Sequence, residues 1–225
     1  MKRDIITSLI GIVVFTLFCG IVYPLFIAGV SQVAFPGNAN GQKVYVHGKL
    51  VGSKIIGQNF ADVVIDKKTG KPEMSDGNPV TAPDPRYFQT RPSGTTPADN
   101  AAASSFANYG PNSTVTLKAI QANIQAYIAL DKSPSGTPYY PGGLTAANIP
   151  VDAVDTSASG IDPDISVRNA DIQAYRIAAV RHLLLATVDR LISQYTASRG
   201  LGFSGEPAVN VLELNLALNR QTGGS

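Results

Sequence analysis

The stretch Ile5–Val30, IITSLIGIVVFTLFCGIVYPLFIAGV, decides how the rest of the chain is read. No Asp, Glu, Lys, Arg or His occurs between Asp4 and Lys43. At about 1.5 Å per residue, a helix over this stretch is roughly 39 Å long, more than the roughly 30 Å hydrocarbon core of a bilayer. A secretory leader has a shorter apolar core, about 7 to 15 residues, and ends at small residues in an A-x-A-like pattern. Here Gln32 stands two residues before Ala34, Gly29 two before Ser31, and a bulky Phe18 precedes Cys19. The stretch therefore reads as a retained transmembrane helix, with a cleaved leader as the alternative. Lys2 and Arg3 flank its start and no charge follows it until Lys43, so the positive-inside rule places residues 1–4 in the cytoplasm and everything after Val30 outside.

Residues 31–225 are enough for one domain with its own core. The chain has 18 basic and 16 acidic residues; without Lys2, Arg3 and Asp4, 16 and 15 remain. So even a balance gives no electrostatic reason to expect nucleic acid or an anionic surface as partner. Cys19 is the single cysteine and lies in the span, which leaves the exported part without a disulfide framework or thiolate metal site.

Along the chain, Phe35–Gln42 (FPGNANGQ) reads as a turn-rich tether within 31–42. Lys43–Phe60 alternates, with Val44 and Val46 opposite Tyr45 and His47, and predicts a hairpin or strand pair. Ala61–Pro85, dense in Lys, Gly, Pro and Asp and without periodicity, reads as an exposed insertion of the kind that moves. The interval Thr90–Ser113 needs side-chain hydrogen bonds or a partner surface for order. Leu117, Ile120, Ile124 and Ile128 recur at helical spacing, with Ser113 or Thr114 as cap. From Asn169, read as the cap, to Ala197, ahead of Gly200 as a stop, the apolar residues make no single stripe, which predicts two helices meeting near His182–Leu185, with one continuous helix as the alternative. The run Ala208–Arg220 fits period two and period 3.6. Asn210 followed by Glu213 resembles a capping box and favours a short strand at Ala208–Val211 and then a helix.

Catalytic material is scarce. His47 and His182 are the two histidines, placed in a strand and a helix without ligand spacing or a general-base signature. Gly200, Gly202 and Gly205 spell G-x-G-x-x-G, but a helix precedes them and an extended segment comes after, the reverse of a dinucleotide site. They read as a helix stop and a loop. No G-x-x-x-x-G-K-[ST] phosphate loop occurs. Asp162 and Asp164 flank Pro163 in a turn-forming run, and Arg91 before Pro92 suits a pair with a carboxylate, within the fold or across an interface. In the span, Pro24 removes one helix hydrogen bond, while Gly11, Gly20 and Gly29 allow close helix approach. Gly20, Tyr23 and Pro24 are the candidates for packing against other membrane helices.

IVYPL (21–25), GSKIIGQNF (52–60), YFQTRPS (87–93), DTSASGIDPDIS (155–166), AYRIAAVR (174–181) and GEPAVNVLELNLALN (205–219) together resemble the KdpC family, the C subunit of bacterial Kdp potassium-transporting P-type ATPases. The motif positions are Gly57, Gln58, Asn59, Phe60, Arg91, Pro92, Asn108, Gly160, Asp162, Arg181, Glu206, Asn210 and Asn215, without an assigned role. Two departures stand out. The link at 61–85 is longer than the family's, and SSFANYGPNS (104–113) keeps only Asn108 and Gly110-Pro111 of a glycine-rich family segment.

The resemblance implies a non-catalytic subunit in the bacterial inner membrane. Its partners would be a potassium-binding channel-like subunit, an ATP-hydrolysing P-type subunit and a small membrane subunit, and no nucleic acid is implied. ATP and potassium would be handled by the complex, and the chain would have no cofactor of its own. The family is also described as a catalytic chaperone raising ATP affinity, a role hard to reconcile with an exported domain except through long-range coupling. The expected fold is thus α+β: one N-terminal transmembrane helix and then one exported domain at 43–225. A membrane-anchored exported enzyme or a binding module is the alternative reading.

Overall fold

The computed structural model describes residues 2–75, 77–95, 97–103, 108–110, 112–200 and 202–221. The chain divides into two compact units after Ser53.

In the first unit, 33 residues from Lys2 to Ala34 are continuously helical, long and apolar enough to cross a bilayer. The helix comprises α1 (Lys2–Leu17), one wide π-type turn (Phe18–Val22) and α2 (Tyr23–Ala34). The wide turn lies just ahead of Pro24, which cannot donate, and the Tyr23 N–H reaches back five residues to the Phe18 carbonyl. The segment read as a plain tether forms a short helix, α3 (Pro36–Ala39), because Pro36 suits a first helical position. Strands β1 (Lys43–Val46) and β2 (Lys49–Ser53) pair antiparallel, with a register shift at Val44/Tyr45. His47 is not a strand residue. With Gly48 it makes the two-residue turn, at φ 48 and 77, the left-handed pair such hairpins require.

In the second unit, β3 (Ala61–Val63) pairs with β6 (Thr81–Pro83), and β4 (Met74–Ser75) with β5 (Asn78–Pro79). The insertion is largely exposed, as expected, and its backbone is paired into a ribbon. Val64 donates to Val80, Glu73 to Val64, and Val80 to Glu73, so the two ladders meet at one junction of backbone bonds that needs no apolar periodicity. Its last two residues, Asp84 and Pro85, leave the ribbon and join the main body.

Helix α4 (Thr114–Leu130) is capped by the Ser113 hydroxyl, which accepts from the Thr116 N–H. Of its predicted stripe, Ile120, Ile124 and Ile128 are half-buried while Leu117 is exposed. The core lies around a three-stranded antiparallel sheet, β7 (Asp164–Ser166), β9 (Ala208–Asn210) and β8 (Thr196–Ala197) in spatial order, with Val209 facing Ile165 and Thr196 in register. Helices α5 (Val167–Arg181), α6 (Leu185–Tyr195) and α7 (Val211–Gln221) pack their Ile177, Val188, Ile192, Leu214 and Leu218 side chains with Phe88 into one cluster. Both helical and sheet elements build this body, in agreement with the α+β reading.

The two-helix reading of 169–197 holds because His182 ends α5 in the left-handed region, at φ 55, but the cap is Ser166 and not Asn169, whose N–H donates to the Ser166 hydroxyl. A residue with a Cβ is strained there by about 1 kcal/mol, partly offset in a glycine variant by greater unfolded-state entropy. His182→Gly should raise the midpoint of thermal unfolding by the equivalent of about 0.5 kcal/mol, whereas His182→Val should lower it.

Candidate functional site

The YFQTRPS block has little regular structure of its own, and side chains from two helices hold its backbone. Asn215 on α7 accepts from the Phe88 N–H at 2.9 Å and donates to the Phe88 carbonyl at 2.9 Å. Gln173 on α5 repeats this one residue on, accepting from the Gln89 N–H at 2.8 Å and donating to the Gln89 carbonyl at 3.1 Å. Arg176, one turn later, donates to the Pro85 and Tyr87 carbonyls and to Gln173 Oε1. Arg181 donates to the Arg86 carbonyl at 2.6 Å, and its guanidinium stacks 4.7 Å from the Tyr87 ring centre. Every residue from 85 to 89 is thereby fixed.

Asn169, Gln173 and Arg176 follow i, i+4, i+7 spacing and form one polar row among the buried apolar residues of the helix. Each is buried. Asn169 Oδ1 accepts from the Tyr127 hydroxyl and from Gln173, and Asn169 Nδ2 donates to Asp152. Burial pushes the Arg176 guanidinium down to about 10, and the nearby Tyr127, Asp131, Asp84 and Tyr139 groups favour its cation, so it stays charged at neutral pH. Burial raises Asp84, but hydrogen bonds and charge from Arg86 outweigh that and hold its carboxyl below the usual range.

A second junction joins three blocks. Gly57 donates to the Ile161 carbonyl at 2.8 Å. A Cβ on Gly57 would stand 2.9 Å from the Asp162 carbonyl oxygen and 3.0 Å from Asp99 Oδ1, so only glycine fits. The Gly160 carbonyl accepts from the Gly94 N–H and the Ser93 hydroxyl. Arg91 reaches Asp162 at 3.4 Å and the Thr156 carbonyl at 3.3 Å. Asn210 donates to the Lys54 carbonyl and to Asp164, and accepts from the Glu213 N–H, completing one half of the expected capping box. The Glu213 carboxylate turns instead to Lys54, at 2.6 Å.

Between these junctions and α4 lies a cavity of about 220 Å³, lined by Asn59, Arg91, Pro92, Asp99, Asn123 and Tyr127 among others. Burial raises the Asp99 carboxyl against the opposing bonds from Thr90 and Ser93. Among the described residues, no group of three or more His, Cys, Asp or Glu side chains is placed to hold a metal ion.

The sequence-selected positions therefore divide. Gly57, Phe60, Arg91, Gly160, Asp162, Arg181, Asn210 and Asn215 fall on the two junctions, Phe60 by stacking its ring 5.5 Å from Tyr87, while Pro92 lines the cavity. Asn59 sits at the cavity, and Gln58 presents a buried Oε1 with no hydrogen-bond partner among the described residues. Glu206 stands apart, paired with Arg199 on an exposed loop. Asn108 is exposed in a short described stretch. Gly20, Tyr23 and Pro24 belong to the other unit. Sequence reasoning takes Asn169 only as a helix cap and misses Gln173 and Arg176, although their i, i+4, i+7 spacing is visible in the sequence. Asp84 and Asp152 carry no such signal, because only the folded chain buries the first and brings the second to Asn169.

A family model described as "KdpC: K+-transporting ATPase, c chain" matches residues 5–220. This chain belongs to the KdpC family. A "Potassium-transporting ATPase KdpC subunit" of Mycobacterium bovis is 40% identical over 220 residues, covering 98% of this chain and 100% of that protein. One of Methylococcus capsulatus is 41% identical over 213 residues, covering 94% and 95%. A Streptomyces coelicolor relative of the same name is 39% identical over 214 residues, covering 92% and 88%. Membership in KdpC makes the chain a component of a potassium-transport ATPase complex, and its apolar N-terminal helix fits membrane anchoring.

Two outcomes test the site. Asn215→Ala strands the buried N–H and carbonyl of Phe88 and should cost about 2–4 kcal/mol in denaturant unfolding of the detergent-solubilised chain. Asp99 is raised in the folded state, so its contribution is fully present below its ordinary value of 3.8 and is lost as pH rises through the raised value. Asp99→Asn should therefore stabilise the chain at pH 7 relative to the parent, with the gain vanishing near about pH 4, as read from thermal midpoints across that range.

Proposed function

We propose that this KdpC-family chain is a single-pass, non-catalytic accessory subunit of a high-affinity, ATP-driven potassium import complex. Its N-terminus faces the cytoplasm, its larger body lies outside, and it supports assembly of the complex. The observation that carries the reading is the use made of the family's motif residues. Arg91, Arg181, Asn210 and Asn215 spend their hydrogen bonds holding loops of the same chain, at 85–94 and at 54–57 with 156–164. A surface so fixed is suited to docking, because little conformational freedom is lost when a partner binds.

In this reading ATP and potassium are handled by the partner subunits: a channel-like one, an ATP-hydrolysing P-type one and a small membrane one. Any rise in ATP affinity of the hydrolytic subunit is transmitted through the membrane subunits as a coupling between distant sites. Photo-crosslinking of ATP to a specific residue of the larger body would overturn that indirect route.

The direct test is extraction from membranes. The chain should co-purify with a multi-pass ATP-hydrolysing subunit, and its removal should abolish growth at limiting potassium. Arg176→Met, which takes the guanidinium donor from the Pro85 and Tyr87 carbonyls, should reduce co-purified chain severalfold. A chain that extracts alone and turns over a substrate alone would be an enzyme, and the reading would fall.

A further inference from the structure

The wide turn in the N-terminal helix leaves the Cys19 carbonyl without a partner from its own helix. In an α-helix the Cys19 carbonyl would accept from the N–H of residue 23, and in a π-type turn from that of residue 24. The Tyr23 N–H is committed to the Phe18 carbonyl, and residue 24 is proline, which has no N–H. Both donors in reach are therefore lost to Cys19.

Its position makes this consequential. Cys19 lies about 21 Å along the helix from Ile5 and about 17 Å from Val30, close to the middle of the apolar stretch. There is no water there to serve the carbonyl, and a polar backbone group left in hydrocarbon costs free energy that a lone anchor would have no reason to carry. Helices in membranes tolerate proline because neighbouring helices supply the missing bond. Access is open, since nothing stands within 4 Å of where a Cβ on Gly20 would be, and Cys19 itself is exposed.

We propose that the Cys19 carbonyl is the acceptor for a hydrogen-bond donor, a hydroxyl or amide side chain, on a transmembrane helix of a partner subunit that packs at Gly20 near mid-bilayer. Pro24 and the wide turn exist to free that carbonyl, and the glycine lets the partner's backbone come close enough for a short side chain to reach it. The proposal rests on the accessory-subunit reading above and names the contact through which the anchor recognises the complex.

The sequence supplies its own probe, because a chain made with 1-¹³C-cysteine carries the label at one carbonyl only. Isotope-edited infrared spectra are taken of the labelled full chain in lipid bilayers, alone and after assembly with unlabelled partner subunits. The labelled band should lie at the higher wavenumber of a free carbonyl in the isolated chain and move to lower wavenumber on assembly. In Pro24→Ala, where residue 24 regains an N–H, the band should be low in both states. A band unmoved in an assembled complex overturns the proposal, and so does one already low in the isolated parent chain, where water or the helix itself would be the donor. Failure of the chain to assemble with the potassium-transport subunits at all overturns the accessory reading and this contact with it.

Discussion

The fold depends on how a segment with little regular structure, residues 85–89, is held in the core. Its backbone groups are satisfied by the side chains of Gln173, Arg176, Arg181 and Asn215, and Phe88 is thereby held fully buried in the apolar cluster. Buried N–H and carbonyl groups must find partners, and a segment entering a core without a strand beside it can find them only in side chains. The amide side chain suits the task because it carries one donor and one acceptor face, matching one residue's N–H and carbonyl. Two amides on two helices, serving Phe88 and Gln89 in succession, also fix the register of the segment between α5 and α7.

Arg176 is the expensive member of this arrangement. A fully buried cation is costly, and here it is compensated mainly by carbonyl oxygens and by acidic and phenolic groups at some remove rather than by a direct carboxylate contact. Its donors fix the Pro85 and Tyr87 carbonyls and Gln173, and the chain that follows them brings Arg91 and Pro92 to the edge of the cavity. The second junction works by exclusion of volume. Gly57 admits the 160–162 turn so closely that any side chain would collide with backbone oxygens, which ties the GQNF block to the sheet edge at Asp164.

Several elements are legible from residues alone. The two helices broken near His182, the strand and helix of the C-terminal run, and the capped helix after Ser113 each carry a local signal: a periodicity, a cap or a stop. His47 reads as a strand residue and folds as a turn residue, because an alternating pattern does not mark where a two-residue turn interrupts it. The ribbon at 61–83 escapes a sequence reading for a different reason. Its order comes from backbone bonds among Val64, Glu73 and Val80, and backbone bonds leave no apolar period in the sequence.

Residue order alone was enough to establish the apolar helix with its proline, the α+β character of the larger body, and the family. These are local or compositional properties: hydropathy over a span, periodicity over a helix, identity over a motif. What the motif residues do was settled by the packed fold and by nothing less. Asn215 and Phe88 are 127 positions apart, and Gln173 and Gln89 are 84 apart. No periodicity links such pairs, because their meeting is set by the packing of α5 and α7 on the sheet, and a buried amide's partner is whichever backbone that packing delivers to it.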